Sequence, residues 1–171
     1  MIVEERFRLA ADDEDARLAA EVLFVRIRDQ IAPRMPASAD IRHVGATAVP
    51  GCATKGDLDV VVRVAACDFD AAEAEPAALF PRNSGSIRTV DFAAFADETQ
   101  SPSLGIQLTV REGRFDVFHG LVDALRADPE LVTRYNTLKA RFDGQPMDAY
   151  RAAKARFIET ILADARVGKA L

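Results

Sequence analysis

The sequence predicts an α+β fold in which a mixed β-sheet is flanked by helices and followed by a helical C-terminal half. Three observations support this prediction. Residues 58–64, Leu-Asp-Val-Val-Val-Arg-Val, form a strongly β-branched run that is typical of a buried strand. Residues 12–31 place apolar side chains at helical spacing before that strand. From residue 114 onward, apolar side chains again recur three or four apart, which indicates successive helices.

The first half of the chain alternates between helical and extended segments. The first helix begins at Asp12 or Asp13, either of which can cap it, and ends before Pro33. Its apolar side chains recur at helical spacing at Leu18, Val22, Leu23, Val25 and Ile27. The elements predicted after it are a strand at 41–44, a turn at 45–51, the strand at 58–64, a helix at 70–79, and strands at 87–95 and 104–110.

Helices are predicted throughout the chain after residue 113. Asp128-Pro129-Glu130 is a strong helix start, because it combines an N-cap aspartate, a proline in the first turn and an acid near the helix N-terminus. Gly144-Gln145-Pro146 ends that helix, and Asp148 can cap the last one. We therefore expect a single domain over 1–171, with the sheet in about 1–112 and the helical part in about 113–171.

The composition excludes several classes of protein. The chain has 171 residues, of which 49% are apolar and 29% charged, as in an ordinary globular domain. Its net charge of −5 argues against general nucleic-acid binding. No apolar run approaches the ~18 residues that span a bilayer, and the first residues lack the apolar core of a signal peptide. We therefore expect no membrane association and a cytoplasmic location. With two cysteines and two histidines, any metal would have to be held by carboxylates.

The segment from His43 to Asp59 carries the clearest chemical signal. A turn of small residues, 45–51, lies between two predicted strands, and the second strand opens with Asp57 and Asp59. Residues two apart in a strand point to the same face, so the two carboxylates would project together. Mg²⁺ is commonly held by one or two carboxylates together with substrate phosphates, and the backbone N–H groups of such a turn can bind a phosphate. Together these features indicate phosphoryl or nucleotidyl transfer.

Each of these residues also has an ordinary structural interpretation. Asp57 and Asp59 could simply form the polar start of a strand, and the glycines could serve only the turn. Lys55 could neutralise a phosphate or be a solvated loop lysine. We expect His43 to shape the glycine turn by hydrogen bonding rather than to transfer protons. Cys52 has no nearby histidine to activate it, so we expect an inert thiol.

On these residues the sequence resembles the GrpB family of bacterial proteins, within the nucleotidyltransferase superfamily of DNA polymerase β-like fold. The superfamily signature is a Gly-Ser turn followed by Asp-x-Asp. The N-terminal matches to the GrpB pattern are His43, Gly45, Thr47, Val49, Pro50, Gly51, Lys55, Asp59 and Val62. Supporting C-terminal matches are Asp123, Leu125, Arg126, Pro129, Tyr135, Leu138, Lys139, Tyr150, Lys154, Phe157 and Ile158. The resemblance spans roughly residues 12–165 and implies a nucleotidyltransferase-like mixed sheet with a helical C-terminal half.

The chain departs from the family pattern at two places. Position 46 is alanine where the family usually has serine, so only the backbone N–H is available to a phosphate there. The superfamily normally has a third carboxylate on a later strand. The corresponding strand here carries Gln107 and Thr109, where GrpB proteins often have His-x-His. We expect neither side chain to be a metal ligand of any strength, which leaves two carboxylates and no obvious general base.

Four side chains of the helical half could line a nucleotide pocket. They are Tyr135, Lys139, Tyr150 and Lys154, which repeat a Tyr-x-x-x-Lys spacing. A tyrosine ring could stack on a base, and a lysine could bind a phosphate. The alternative is that the tyrosines are core residues whose hydroxyl groups are satisfied within the protein.

The motif and the resemblance together lead to two hypotheses. In the first, the protein is a nucleotidyltransferase that binds a Mg²⁺–nucleotide, or another phosphorylated small molecule, and transfers a nucleotidyl group to a small acceptor. Asp57 and Asp59 would be its catalytic and metal-binding residues. The expected nucleotide- or phosphate-binding residues are His43, Gly45, Ala46, Thr47, Lys55, Lys139, Tyr150 and Lys154. In the second hypothesis, the protein is a non-catalytic module of the same fold that binds a nucleotide or coenzyme A, a cofactor indicated by family members fused to dephospho-coenzyme A kinase.

Overall fold

The computed structural model describes residues 4–169, with side chains up to residue 164. The helices and strands are, in chain order, α1 (Asp13–Ile31), β1 (Asp40–Val44), β2 (Leu58–Val64), α2 (Phe69–Leu79), β3 (Phe92–Asp97), β4 (Leu104–Val110), α3 (Phe118–Ala127), α4 (Pro129–Phe142) and α5 (Met147–Lys169). Short 3₁₀ turns lie at Ala32–Arg34, Ala46–Ala48 and Ala66–Asp68. This order confirms the predicted α+β class. Within the described range, no helix is both long enough and apolar enough to cross a bilayer.

The strands form one four-stranded mixed sheet in the order β1-β2-β4-β3. β2 pairs antiparallel with β1 and parallel with β4, and β3 pairs antiparallel with β4. In this register Asp59 lies opposite Val44 on one side and opposite Gly105 on the other. The second aspartate of the motif therefore lies on a central strand of the sheet, near the strand's beginning.

The two faces of the sheet are covered by different helices. Val60 and Val62 belong to a buried cluster with side chains of α1 and α2. Val61 belongs to a second cluster with side chains of the C-terminal helices, including Leu125 and Tyr135. Burial on both faces explains why β2 is apolar at nearly every position. Because Asp59 is two residues from Val61, it points toward the C-terminal helices.

Two helix starts predicted from the sequence are confirmed. The Asp12 side chain accepts hydrogen bonds from the N–H groups of Glu14 and Asp15 at the start of α1. Asp128 does the same for Glu130 and Leu131 at the start of α4. These short contacts are local, which is why they can be predicted from the sequence.

The buried face of α1 differs from the predicted spacing. Leu23 and Ile27 are buried, whereas Leu18, Val22 and Val25 are 49%, 74% and 40% exposed. The other buried side chains of this helix are Ala20, Phe24 and Ile31. Apolar side chains occupy more than one face of α1, so spacing alone could not identify the face that packs.

Three further element predictions were wrong in detail. β3 begins at Phe92, because the residues before it form a turn in which the Thr89 N–H donates to the Phe92 carbonyl. α3 begins at Phe118 rather than near residue 114, after a turn closed by the Gly113 N–H. Asp148 lies inside the first turn of α5, where it pairs with Arg151, so it does not cap the helix.

Candidate functional site

A cleft of about 210 Å³ lies between the start of β2 and helices α4 and α5. It brings together seven of the ten residues selected from the sequence, namely Ala46, Lys55, Asp57, Asp59, Lys139, Tyr150 and Lys154. Its other lining residues are Phe7, Thr54, Tyr135, Met147 and Arg151. The remaining three selected residues, His43, Gly45 and Thr47, do not line the cleft. Gly45 and Thr47 belong to the turn at 45–51, and His43 precedes it on β1.

Two glycines make room for the carboxylate of Asp59. Gly45 has φ +76°, and a Cβ built on it would lie 2.5 Å from Asp59 Oδ2. A Cβ built on Gly105, across the sheet, would lie 3.0 Å from Asp59 Oδ1. Both oxygens of this carboxylate therefore lie against backbone that carries no side chain. The role of Gly45 follows from the motif, but that of Gly105 was missed because it depends on the pairing of β2 with β4.

The two aspartates differ in their surroundings. Burial raises the pKa of Asp59; the charge of Lys154 opposes this rise, and the charge of Asp57 adds to it. Asp57 is more exposed and pairs with Lys55, whose Nζ lies 3.0 Å from Asp57 Oδ2. The cleft thus holds two carboxylates that repel each other, and it is also lined by Lys55, Lys139 and Lys154.

A chain of hydrogen bonds connects α1 with the backbone of Asp57. His43 Nδ1 lies 2.9 Å from Glu21 Oε2, and His43 Nε2 lies 2.9 Å from Thr47 Oγ1. The Thr47 hydroxyl donates to the Asp57 carbonyl at 2.9 Å. It therefore accepts from His43 Nε2, which must carry a proton. Burial lowers the pKa of His43, and Glu21 opposes this effect. This geometry matches the expectation that His43 shapes the turn.

Replacing Thr47 with valine is expected to lower the free energy of unfolding by about 2 kcal/mol, because it leaves the Asp57 carbonyl and the ring N–H of His43 without partners. Thr47 is 2% exposed, so water cannot readily replace the hydroxyl. Serine at this position keeps the hydroxyl and should lose much less. Urea unfolding of both variants measures the difference; a larger loss in Thr47→Ser than in Thr47→Val would show that the methyl group, not the hydrogen bond, matters.

Lys139 is buried at the back of the cleft, at 2% exposure. Its Nζ donates to the Ala53 carbonyl and to Cys52 Sγ, and it lies 3.9 Å from the centre of the Tyr135 ring. Burial lowers the pKa of Lys139 to about 8 and raises the pKa of the Cys52 thiol. In this structure the ammonium group of Lys139 therefore holds the loop that leads to Asp57.

The same loop and the turn before it are also held by Asn136 and Arg126, which were not among the ten expected site residues. The Asn136 amide accepts from the Ala53 N–H and donates to the Gly51 carbonyl, both at 2.8 Å. Arg126 donates to the Ala48 carbonyl at 2.7 Å. These contacts join positions about 80 residues apart in sequence, and no local pattern could have indicated them.

The cleft tyrosines pack within the protein. Tyr150 stacks on Phe7 with ring centres 3.7 Å apart, and Tyr135 stacks on Phe157 at 5.1 Å. The two hydroxyl groups lie 3.4 Å apart. Burial raises the pKa of Tyr150 to about 12. These contacts favour the core interpretation of both rings, although each also borders the cleft.

Asp91 and Asp116, which follow the aspartate pair in the sequence, do not add a third carboxylate to Asp57 and Asp59. Across the part of the chain that the structure describes, no group of three or more His, Cys, Asp or Glu side chains could hold a metal ion. Asp116 is instead bound by Arg63 at 2.6 and 2.7 Å. Asp91 accepts from the Thr89 hydroxyl. The carboxylates at the cleft are Asp57 and Asp59.

Comparison with known proteins identifies similar sequences and folds. The family model described as GrpB protein matches residues 5–164. A UPF0157 protein of Vibrio cholerae is 31% identical over 153 residues, which are 89% of this chain and 80% of that protein. The crystal structure of the conserved protein GrpB from Enterococcus faecalis matches 90% of this chain and 96% of that one, with a TM-score of 0.68 and 19% identity.

A more distant likeness concerns the Cid1 poly(U) polymerase in a structure with Mg and 3′-dATP bound. It has a TM-score of 0.50 and 13% identity, and it covers 77% of this chain but 42% of the polymerase chain. Together with the GrpB crystal structure, it shows that this chain has a nucleotidyltransferase-like fold. At these identities the likeness concerns the fold alone.

Proposed function

The chain belongs to the GrpB family, and from this premise we propose that its cleft binds a Mg²⁺–nucleotide and transfers the nucleotidyl group to a small acceptor. One observation carries the proposal. Asp57 and Asp59 line the same cleft as the glycine-turn residue Ala46 and the basic side chains Lys55 and Lys154. A pair of carboxylates beside cationic side chains suits a ligand that consists of a cation and phosphates.

The residues of the cleft fit a hard divalent cation. Carboxylate oxygens are the ligands that Mg²⁺ prefers, and Asp57 and Asp59 provide them. Gly45 and Gly105 let the Asp59 carboxylate lie where a side chain on either residue would collide with it. The two aspartates would hold the cation, which when bound offsets the negative charge of a phosphate group.

The basic side chains of the cleft would bind and orient the phosphates. Lys55 is more than a third exposed and can exchange its contact with Asp57 for a phosphate oxygen. Arg151 and Lys154 border the cleft from α5, and position 46 offers a backbone N–H. In the reaction, an acceptor hydroxyl oxygen bonds to the α-phosphorus, pyrophosphate leaves, and the hydroxyl proton passes to solvent.

The second candidate is a binding module without catalysis. Ala46 lacks the hydroxyl that a serine would offer, and within the described residues the cleft has no third carboxylate. Such a module would bind a nucleotide or coenzyme A with little dependence on metal. A sensitive pyrophosphate assay over a panel of nucleotides and acceptors separates the two candidates, since sustained turnover would exclude the module.

Replacing Asp59 with asparagine is expected to abolish Mg²⁺-dependent nucleotide binding while the protein remains folded. Asparagine keeps the shape of the side chain but removes the charge that a cation needs. Thermal unfolding with Mg²⁺ and each of several nucleotides measures the effect. For the unchanged protein, a ligand at 100 times its Kd adds about 2.7 kcal/mol, or roughly 5–10 °C in Tm.

A matched control tests whether any loss of charge has the same effect. Asp70 is an exposed aspartate of α2, outside the cleft, so Asp70→Asn should keep the full ligand shift. Without ligand, Asp59→Asn should unfold at the same temperature as the unchanged protein or higher, because the charge it removes is unfavourably buried. An unchanged Mg²⁺-dependent shift in Asp59→Asn would contradict the proposal.

A further inference from the structure

The two edges of the sheet differ in whether another segment pairs with them. At the β3 edge, residues 81–83 lie alongside the strand. The Asn83 N–H donates to the Ala94 carbonyl at 2.9 Å. The Ala96 N–H donates to the Pro81 carbonyl at 3.0 Å. At the other edge, β1 pairs with β2 on one side, and no further segment among the described residues bonds to its backbone. The β1 edge is therefore open to a partner.

The alternation of hydrogen bonds shows which backbone groups of β1 point outward. Leu58 donates its N–H to the residue just before β4, so Leu58 and every second residue after it in β2 face β4. The residues between them face β1, and Val61 among these lies opposite Arg42. The backbone groups of Arg42 therefore point toward β2. Those of Ile41 and His43 point away from the sheet, and they have no hydrogen-bond partner in the part of the chain that the structure describes.

A groove of about 290 Å³ lies along this open edge, between α1 and α3. Residues 41–44 of β1 line it together with Glu21 and Phe24 of α1. The residues that α3 contributes are His119, Val122, Asp123 and Arg126. None of these residues lines the cleft at Asp57 and Asp59, so the groove is a separate site.

The side of the groove toward α1 is mainly apolar. Ile41 and His43 point to this side, because residues two apart in a strand share a face. Ile41 packs against the buried cluster that contains Phe24, and the His43 and Phe24 ring centres lie 5.5 Å apart. Glu21 is already paired with His43 Nδ1 at 2.9 Å. A side chain added on this side would contact rings and aliphatic carbon, which favours an apolar residue.

The side of the groove toward α3 carries more positive than negative charge. Arg42 and Arg126 line it, and Asp123 is the carboxylate that α3 adds. Arg42 contacts Asp40 at 2.8 Å, but its side chain is 45% exposed and can reach a second carboxylate. A side chain added on this side is therefore favoured when it is acidic.

We propose that the β1 edge binds an extended peptide segment of another protein, which joins the sheet as an added strand. The outward N–H and carbonyl groups of Ile41 and His43 match the groups that an extended backbone presents. The side chains of such a strand alternate between the two sides of the groove. The recognised segment therefore alternates apolar residues, toward α1, with acidic residues, toward α3. Because α1 and α3 flank the edge, a strand without helices of its own beside it fits the groove best.

The experiment uses a fluorescein-labelled peptide that alternates valine and glutamate over six residues, and fluorescence polarisation measures its binding. A peptide with lysine in place of glutamate should bind at least about tenfold more weakly. Two further peptides are methylated on the backbone nitrogens of either the valines or the glutamates. One of them should lose binding and the other should keep it, because only alternate N–H groups of an added strand face β1. Equal behaviour of the two methylated peptides would overturn the proposal.

Amide hydrogen exchange, followed for each residue by NMR, locates the bound peptide. In the free protein the amides of Ile41 and His43 should exchange faster than those of Arg42 and Val44, which bond to β2. The valine–glutamate peptide should slow the exchange of the Ile41 and His43 amides at least about tenfold and change the other two much less.

Substitution of Arg42 tests the charge preference. Arg42→Glu should bind the valine–glutamate peptide at least about tenfold more weakly, and it should bind the valine–lysine peptide more tightly. Arg156→Glu is the matched control, because Arg156 is an exposed residue of α5 outside the groove; it should bind both peptides as the unchanged protein does. Should Arg42→Glu not fold, Arg42→Gln decides, and undiminished binding of the acidic peptide by that variant would contradict the charge preference.

Other outcomes would also overturn the proposal. Failure of the unchanged protein to bind the valine–glutamate peptide would do so, as would binding that leaves the Ile41 and His43 amides unprotected. Protection of these two amides without peptide, rising with protein concentration, would show that a second copy of this chain occupies the edge instead. Each result leaves the function proposed for the cleft untouched, since the two sites share no lining residue.

Discussion

Replacing Gly45 with alanine is expected to lower the free energy of unfolding by about 2–5 kcal/mol and the Tm by about 5–15 °C. Two costs add. Gly45 has φ +76° and ψ −173°, a conformation that essentially only glycine adopts without strain. In addition, the new Cβ would lie 2.5 Å from Asp59 Oδ2. The backbone or the Asp59 side chain must move, so the loss should include the metal and nucleotide binding proposed for the cleft.

Gly51 provides the matched control for this substitution. It lies at the other end of the same turn with φ +75°, but a Cβ built on it meets no heavy atom within 4 Å. Gly51→Ala should therefore show only the backbone cost, about 1–3 kcal/mol, and should keep binding of Mn²⁺, which takes the same carboxylate ligands as Mg²⁺. Urea unfolding and Mn²⁺ titration of both variants make the comparison. Equal effects of the two substitutions would show that contact with Asp59 is unimportant.

Replacing Arg63 with methionine is expected to lower the free energy of unfolding at pH 7 by about 3–5 kcal/mol. Arg63 donates two hydrogen bonds to Asp116, at 2.6 and 2.7 Å, and a third to Asp40 at 2.9 Å. The Asp116 side chain is 4% exposed. Methionine keeps much of the apolar stem but removes the charge, so a buried carboxylate would be left without its cation.

The effect of this substitution should depend on pH in a defined direction. Burial is the largest single influence on the pKa of Asp116 and would raise it, but the hydrogen bonds from Arg63 and from the Glu112 N–H, together with the charge of Arg63, outweigh burial and hold the pKa below its usual range. The stability contributed by Asp116 is therefore fully present above about pH 4 and is lost as the pH falls through the folded-state pKa. The difference between the unchanged protein and Arg63→Met should accordingly shrink from pH 7 to pH 3.

Arg42→Met is the control for Arg63→Met. Arg42 lies on the neighbouring strand β1 and pairs with Asp40 at 2.8 Å, but its side chain is 45% exposed. Exposed pairs contribute at most about 1 kcal/mol, so this variant should be nearly as stable as the unchanged protein. Urea unfolding at pH 7 and pH 3 measures both variants. A pH-independent loss in Arg63→Met would show that the contact contributes through packing rather than through charge.

Much of the candidate site could be predicted because its signals are local. The glycine turn, the two aspartates and the β-branched strand lie within 20 residues, and the strand was predicted at its observed bounds, Leu58–Val64. The N-caps at Asp12 and Asp128 are equally local. Such features depend on backbone sterics and on contacts between near neighbours in sequence, which a pattern of residue types describes well.

Other parts of the site could not be predicted because they depend on contacts between distant residues. The close approach of Asp59 to Gly105 depends on the pairing of β2 with β4, which becomes known only from the register. Lys139 fits the pattern of a phosphate-binding lysine, yet its ammonium group bonds the loop before Asp57. Phe7, near the start of the chain, reaches the cleft by stacking on Tyr150.

The sequence by itself determined the fold class, the central strand, the turn and the pair of aspartates, since hydrophobic periodicity and local backbone preferences are written in neighbouring residues. The tertiary structure decided which side chains surround that pair and which face of α1 is buried. It also decided that the ammonium group of Lys139 makes a structural contact with the loop before Asp57. The physical reason is that packing and strand register bring together residues far apart in the chain, and these choices follow from burial of the whole core rather than from any single segment.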